Sequence, residues 1–428
     1  MLELWIGVKE MIKSFSCRNF RNVNVKNLKF SKINILIGPN NSGKTNFIRA
    51  LSFCADMLNC SGKLVGDSAF QTLISKSGMG DIYNKYAQDT VHNIGLKWNL
   101  ELDKHKNVDY EFDFHTGNEI KEFFIMRESL EDHYKRPDVK KPFNYFTCQE
   151  KIGEGYISKA VNKGETNSRI FFKISETDTI LNQFDKIRLD NKEIYEESER
   201  QVGLIQKLKE HFDKYYFYSS SQFDLNKIRE PQNIQNDGRV LDKDGSNFVN
   251  VLNYYKNQDM NYMAIYLNRL KNLMPSLELA DIMVEYNKLR FKLQYEGETF
   301  SLSDLSDGTI KAMLLLLLIL IPVNEGLEML AIDEPEMNIH PAWQQIIGRW
   351  IQQSDNFKQC FISTHSPDFL DVFTEGFKRG EVSVFVFDPR EDHLVKKLDY
   401  KKMAEDLEDW DLGDLYRVND PLIGGWPW

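Results

Sequence analysis

Gly38-Pro39-Asn40-Asn41-Ser42-Gly43-Lys44-Thr45 is the stretch on which the fold turns. It fits the spacing GxxxxGK[ST], with the apolar strand Ile33-Asn34-Ile35-Leu36-Ile37 before it and a helical run, Asn46 to Leu58, after it. Strand, loop and helix in that order are what such a loop needs, because glycines let successive backbone N–H groups turn inward onto phosphate oxygens. The helix that follows adds unpaired donors and partial positive charge at its N-terminus. In this reading Lys44 reaches the β- and γ-phosphates and Thr45 gives its hydroxyl to Mg²⁺. A Gly/Asn-rich turn feeding an ordinary helix is the plainer alternative, and the correct flanks on both sides weigh against it. The stretch implies a nucleoside triphosphate ligand.

With 428 residues the chain has room for two or three domains. Its 42% hydrophobic and 12% aromatic content is that of a globular protein. A net charge of −10 gives the surface as a whole no general attraction for nucleic acid, while 54 Lys+Arg leave room for a local basic face. The five cysteines (Cys17, Cys54, Cys60, Cys148, Cys360) are scattered and form no CxxC pair. Neither a zinc site nor a disulfide framework is expected from them, in keeping with a reducing cytoplasm. Met1 to Lys9 mixes acidic and basic residues into a short apolar stretch, unlike a signal peptide. The longest apolar run, Ala312 to Val323, falls far short of the ~20 residues a membrane span needs. A cytoplasmic chain without a membrane segment is expected.

Met11 to Val25 reads as strand–turn–strand, and the helix after Thr45 buries Phe47, Ile48, Leu51, Cys54 and Leu58 at helical spacing. From Ser61 to Asn287 no chemical motif stands out. Asn93 to Leu100 and Tyr110 to Phe114 alternate like an antiparallel sheet, and Ile194 to Tyr215 reads as an amphipathic helix on Val202, Ile205, Leu208 and Phe212. Tyr216-Phe217-Tyr218 reads as a buried strand, and Asp244 to Asn247 as the cap of a helix through Tyr255. A second helix is expected around Tyr262 to Leu273. A hairpin follows, with Ile282, Val284 and Tyr286 on one arm, Leu289, Phe291, Leu293 and Tyr295 on the other, and Asn287-Lys288 as its turn. Tyr110 to Lys151 mixes charges and aromatics (Arg136, Lys140, Lys141, Tyr145, Phe146), which suits either a nucleic-acid surface or a solvated face over a sheet core.

Three further motifs lie downstream. Ser303-Asp304-Leu305-Ser306-Asp307-Gly308-Thr309 precedes an apolar helix, Ile310 to Ile321, stopped by Pro322. Leu327 to Ile332 is an apolar strand running into Asp333-Glu334-Pro335-Glu336, and Phe361 to Thr364 is a strand ending in His365-Ser366-Pro367. Adjacent acids at the end of a buried strand are costly unless a cation or a reaction uses them. Asp333 is thus a candidate Mg²⁺ ligand beside Thr45, and Glu334 a candidate base for the attacking water. His365, at the end of another strand, could touch a γ-phosphate; a structural cap is the equal alternative. Taken alone, the acid pair could also be a strand-end turn with solvated carboxylates.

The strings LSDGT, LAIDEP and STHSP behind GPNNSGKT resemble ABC-type ATPase heads of the SMC/RecF-like group. They look most like compact ATPases of bacterial phage-defence modules, including overcoming-lysogenization-defect (OLD-type) proteins. The resemblance implies an α/β head that binds ATP with Mg²⁺ and dimerises head to tail around two ATPs. It implies that Ser306, Asp307 and Gly308, the signature turn, serve the γ-phosphate held by the other subunit. Glu336 to Pro341 matches the family's D-loop position. The signature reads SDGT where a transporter-type head has SGGQ, no glutamine ending the expected strand can be placed, and the adenine-stacking residue is unassigned, with Phe20 and Arg21 as candidate neighbours.

These readings predict an ATPase head from residues 1–75 and 289–400, a β-rich then helical insertion over 76–288, and an acidic tail over 401–428. ATP binding would close the dimer, or a higher even oligomer, and hydrolysis at Glu334 and His365 would reopen it, and so control a separate effector, a nuclease, in anti-phage defence. Nucleic acid could bind through the insertion. A DNA-repair or DNA-maintenance head is the alternative, weakened by an insertion too short and aperiodic for a coiled-coil arm; a transporter subunit is disfavoured by the same insertion. Asp388 resembles a nuclease metal ligand, but Pro389 and Arg390 break the DxD pattern, and the strand before it reads as a hairpin into Leu394 to Leu398. The Glu405 to Asp411 acids read as a solvated face. The ending through Trp426 and Trp428 is similar to tails of stand-alone ATPases of this group, with simple docking as the plainer reading.

Overall fold

The computed structural model describes residues 11–60, 82–84, 93–103, 106–116, 124–135, 137, 140–148, 154–158, 169–175, 178–196, 199–235, 238–322, 327–388 and 394–423. Arg136, Pro389, Arg390, Trp426 and Trp428 lie outside them. The chain divides into two compact units. One comprises Met1–Phe30, Asn40–Tyr215 and Phe387–Val395; the other comprises Ser31–Pro39, Tyr216–Val386 and Lys396–Trp428.

The chain begins with the hairpin β1 (Met11–Phe20) and β2 (Val23–Lys29), followed by β3 (Ile33–Ile37), α1 (Lys44–Leu51) and α2 (Phe53–Cys60). Strands β4 (Asn93–Asp103), β5 (Lys106–His115), β6 (Phe124–Asp132), β7 (Asn144–Cys148), β8 (Glu154–Ser158) and β9 (Arg169–Lys173) come next. They join the hairpin in an antiparallel sheet ordered β2-β1-β4-β5-β6-β7-β8-β9. Strict alternation writes this sheet: Val108, Tyr110, Phe112 and Phe114 all point inward from β5. Beyond the sheet lie α3 (Ile180–Asp190) and α4 (Glu199–Asp213). Trp98 is the hub of the core, its ring 5.2 Å from Phe15, 5.7 Å from Tyr110 and 5.6 Å from Phe212. Its indole N–H donates to the Leu51 carbonyl at the end of α1, so the buried ring keeps no orphan donor. Tyr145 and Phe146 are buried, which makes the aromatics of that stretch core and leaves Lys140 and Lys141 exposed.

The second unit is built on a sheet of β10 (Tyr215–Ser219), β15 (Met329–Asp333), β16 (Gln359–Ser363), β3, β17 (Val382–Asp388) and β18 (Leu394–Lys397), adjacent in that order. Pairs β15–β16, β16–β3 and β3–β17 are parallel. Between β10 and β15 the chain forms β11 (Gln232–Asn233), α5 (Phe248–Gln258), α6 (Tyr262–Leu270), β12 (Leu277–Glu285), β13 (Lys288–Tyr295), β14 (Glu298–Ser301) and α7 (Asp307–Leu320). After β15 come α8 (Pro341–Gln353) and, past β16, α9 (Pro367–Asp371); α10 (Leu412–Arg417) lies near the end. Every residue of β3, β15 and β16 is buried, as parallel strands covered on both faces require. Helix α7 is buried from Ile310 to Ile319, so it is a central core element, each large aliphatic side chain contributing ~1.5–3 kcal/mol on burial.

The β12–β13 turn corrects the sequence reading by one residue. Tyr286 and Asn287 are the turn residues, with φ of 52° and 62°, while Lys288 already pairs with Glu285. Two left-handed central residues match a two-residue turn whose twist suits the strands. The two arms differ: Leu289, Phe291 and Leu293 are buried along β13, whereas on β12 Ile282 is buried and Val284 and Tyr286 are 64% and 95% exposed. Cys17, Cys54, Cys148 and Cys360 are buried, and no disulfide joins any two of them.

Candidate functional site

In register, Asp333 of β15 stands beside Ser363 of β16, and Ser363 beside Leu36 of β3. All three strands therefore end at one level, and the phosphate loop leaves β3 from that level at Gly38. Crevices outside the carboxyl ends of parallel strands are where open α/β sheets bind ligands.

The loop's second half is held by the β1–β2 turn. Asn22 donates to the Asn41 carbonyl at 3.2 Å and accepts from Asn46 Nδ2 at 2.9 Å, and Arg21 donates to Asn46 Oδ1 at 3.0 Å. Gly38, Asn41 and Gly43 take positive φ (148°, 62° and 109°), and a Cβ on Gly43 would meet the Asn22 side chain at 2.9 Å. Gly43 begins α1 with no side-chain cap. Ser42 is 3% exposed, and its Oγ finds no partner in the protein. A buried hydroxyl left unsatisfied costs free energy unless a ligand completes it. Lys44 is only 6% exposed, at the first position of α1. The loop fits a triphosphate. Phe20 is wholly buried against Phe53 (5.7 Å), so its ring serves the core.

At the acid end, Asp333 is 7% exposed and takes hydroxyl bonds from Ser363 and, at 3.4 Å, from Ser219. The Ser220 N–H donates to the Asp333 carbonyl at 3.1 Å. The sequence reading missed this Ser219-Ser220 pair at the end of β10; its signal was three serines following a Tyr-Phe-Tyr strand. Ser220 Oγ is a second buried hydroxyl without a protein partner. A carboxylate oriented by hydroxyls and an acceptor-only charge suit a hard divalent cation.

Glu334 is left-handed, with φ 51°. Its N–H donates to both the carbonyl and the hydroxyl of Ser363, at 3.1 and 3.2 Å, which fixes the turn. A non-glycine residue held there costs ~1–3 kcal/mol and persists only where surroundings impose it. Its Oε1 lies 3.6 Å from His365 Nε2. Glu336, absent from the candidate residues read from the sequence, accepts the His365 N–H at 2.7 Å. Burial pushes the Glu336 carboxyl above its usual range, and its other oxygen is buried without a partner.

The signature residues stand at the start of α7. Ser306 caps α7, its Oγ accepting the Thr309 N–H at 3.2 Å. Asp307 pairs with Arg229 at 2.6 Å, and Arg229 also donates to the Leu305 carbonyl. Ser306 and Asp307 are exposed, so this helix start is open to a partner from outside the chain.

Asp371, Asp411 and Asp414 bring carboxylate oxygens within 4.8 Å of one another. Arg417 donates to Asp414 and Asp371, and also to Asp368, which offsets part of the group's negative charge. None of the described helices is long and apolar enough to cross a membrane.

A family model described as "AAA domain, putative AbiEii toxin, Type IV TA system" matches residues 33–371. No curated protein sequence matches the chain. Among solved structures, an SMC head bound to the C-terminal winged-helix domain of ScpA is similar over 91% of this chain and 99% of its own, with TM-score 0.52 and 13% identity. The SMC head domain of Thermotoga maritima (TM-score 0.41, 10% identity, 90% and 97% covered) is also similar. So is an SMC head with an extended coiled coil bound to the C-terminal domain of ScpA, from Pyrococcus furiosus (0.45, 11%, 94% and 99%). The likeness at TM-score 0.52 is one of fold: an SMC-head, ABC-type P-loop ATPase fold.

Proposed function

The chain belongs to this AAA-domain family, and from that premise we propose that it is an ATP-hydrolysing switch whose ATP-bound heads pair head to tail and thereby control a separate effector. One observation carries the reading: Glu334, held left-handed at the end of β15, keeps its carboxylate beside His365 and one residue after the buried Asp333. Strain of that kind is retained where a side chain must be aimed.

Lys44, the loop amides and Ser42 would hold the phosphates; Thr45 and Asp333 would hold Mg²⁺. When bound, Mg²⁺ would neutralise phosphate charge. Glu334 Oε1 would orient a water and take its proton, while His365, 3.6 Å away, would help orient the carboxylate or, turned from it, donate its Nε2–H toward a phosphate oxygen. The exposed, capped start of α7 would offer a hydroxyl and backbone amides to the triphosphate of a second copy. Closure follows because ATP binds the paired state better than the open one.

Effector control in phage defence goes beyond the family's description, which names only a "putative AbiEii toxin, Type IV TA system". A nuclease is the effector class put forward, docking on the segment between phosphate loop and signature or on the tail. The longest helix described in that segment has 15 residues, which gives little support to a coiled-coil lever for DNA maintenance. The test is direct. The purified chain should hydrolyse ATP with Mg²⁺, and Glu334→Gln should trap an ATP-bound dimer visible by light scattering. A chain that binds no ATP, or a trapped form that stays monomeric, would sink the reading.

A further inference from the structure

The short turn between the acid pair and α8 is gripped from both sides. Asn338 is left-handed, with φ 66°. Its carbonyl oxygen lies so close to Gly308 that a Cβ there would collide with it, so the signature turn touches this backbone directly. Its side-chain Oδ1 accepts a hydrogen bond from Lys311 Nζ at 3.3 Å.

Lys311 is an expensive choice for that place. It is 5% exposed, the fifth residue of α7, within an otherwise apolar run. Burial holds its ammonium below the usual range, with Asp307 pulling the other way. A leucine or methionine would pack there without these costs. A residue that breaks local rules without a packing gain points to a role.

The other side of the turn leads to the acids. Met337 N–H donates to the Glu334 carbonyl at 3.1 Å, and Ile339 N–H to the Glu336 carbonyl at 2.9 Å. Glu336 holds the His365 N–H. Gln344 donates to the Ile339 carbonyl at 2.7 Å and accepts from Ser366, the residue after His365. Every link is one hydrogen bond or one backbone contact.

We propose that Lys311 is a positioning residue that seats Asn338 against Gly308, and so transmits the state of the Ser306–Gly308 turn to Glu334 and His365 within one chain. A partner's phosphate engaging the helix start would shift Gly308 and Lys311 together; Asn338 cannot stay where it is when either moves. The aim of Glu334 thereby depends on whether the signature turn is occupied. The proposal rests on the ATPase reading, and its test separates the two.

Amide hydrogen exchange and steady-state turnover are measured on the full chain as wild type, Lys311→Met, Lys311→Arg and Asn338→Gly. Lys311→Met should raise exchange at Met337 and Ile339 and lower kcat about tenfold with KM unchanged, since a small misplacement at a reacting group costs that order of rate. Lys311→Arg should restore both, because it keeps a donor for Asn338. Asn338→Gly keeps the φ and loses the acceptor, so it should copy Lys311→Met, and the two together should do no worse than either alone. Unchanged exchange in Lys311→Met overturns the proposal whatever the turnover. So does an unchanged kcat, or a fall in melting temperature that Arg does not repair. Raised exchange in a chain that never hydrolyses ATP would leave the seating of Asn338 standing and remove the ATPase reading instead.

Discussion

His365 Nε2 faces Glu334 Oε1 across 3.6 Å, one side chain from the end of β16 and the other from the end of β15. The pair is looser than a hydrogen bond. Glu334→Gln should therefore keep ATP binding and lose roughly 10²–10⁴-fold in kcat, the range expected of a general base. His365→Ala should cost less, since it orients rather than accepts the proton. Steady-state phosphate release checks both, and a Glu334→Gln loss under threefold would mean that another group handles the water.

Ser306 has two jobs that can be pulled apart. As the cap of α7 it accepts the Thr309 N–H, and losing that bond in Ser306→Ala should cost ~1 kcal/mol of stability. As the proposed contact to a second copy's triphosphate it tolerates no bulk. Ser306→Arg should leave nucleotide titration of the monomer unchanged and abolish turnover. Mixing it with inactive Lys44→Ala chain should restore part of the rate, because a mixed dimer keeps one intact composite site. Loss of ATP binding in the Ser306→Arg monomer would show the pairing to be wrong.

Glu128 is wholly buried on β6, accepting the Tyr110 hydroxyl at 3.0 Å and the Ile180 N–H at the start of α3 at 2.6 Å. Burial raises its carboxyl from 4.5 to about 8. The folded chain therefore binds this proton more tightly than the unfolded one. The stabilisation is complete below pH 4.5 and is lost as pH rises toward 8, at ~1.4 kcal/mol per pH unit inside that window. Thermal unfolding of wild type should weaken from pH 5 to pH 8 more steeply than that of Glu128→Gln, which cannot titrate. Equal slopes would mean that Glu128 keeps an ordinary carboxyl in the folded chain.

The parts of this protein readable from sequence were those written by period or by spacing. The alternation of Asn93 to Leu100 and of Tyr110 to Phe114 gave the sheet, and GxxxxGK[ST] with its flanks gave the loop and its position after β3. What stayed hidden depends on contacts between segments remote in sequence. Ser219 and Ser220 lie over a hundred residues before Asp333, and only the sheet order brings β10 beside β15. Glu336 looked like part of an acidic run, and its bond to the His365 N–H needed both strand ends in place. The same holds for Lys311: at helical spacing it is one polar residue among leucines, and its partner Asn338 lies 27 residues on.

Two glycines with helical surroundings make the final prediction, and they should respond with opposite sign. Gly203, inside α4, has no atom within 4 Å of the place where a Cβ would stand. Gly203→Ala should therefore stabilise by ~0.5–1 kcal/mol, because alanine loses less backbone freedom on entering a helix. Gly413, inside α10, is the reverse case. A Cβ there would collide with the Pro367 carbonyl oxygen and the Asp371 carboxylate, both of α9. The backbone cannot retreat easily: the Leu412 N–H is bonded to Thr374 Oγ1 at 3.0 Å, and Arg417 ties α10 to Asp368 and Asp371. Gly413→Ala should cost ~1–3 kcal/mol, the usual range for overpacking. Because Pro367 follows His365 by two residues, the displaced α9 should also disturb the histidine, so kcat should fall in Gly413→Ala and stay level in Gly203→Ala. Denaturant midpoints and turnover on the two variants decide it; a Gly413→Ala chain as stable as wild type would mean that α10 does not pack on α9 in solution.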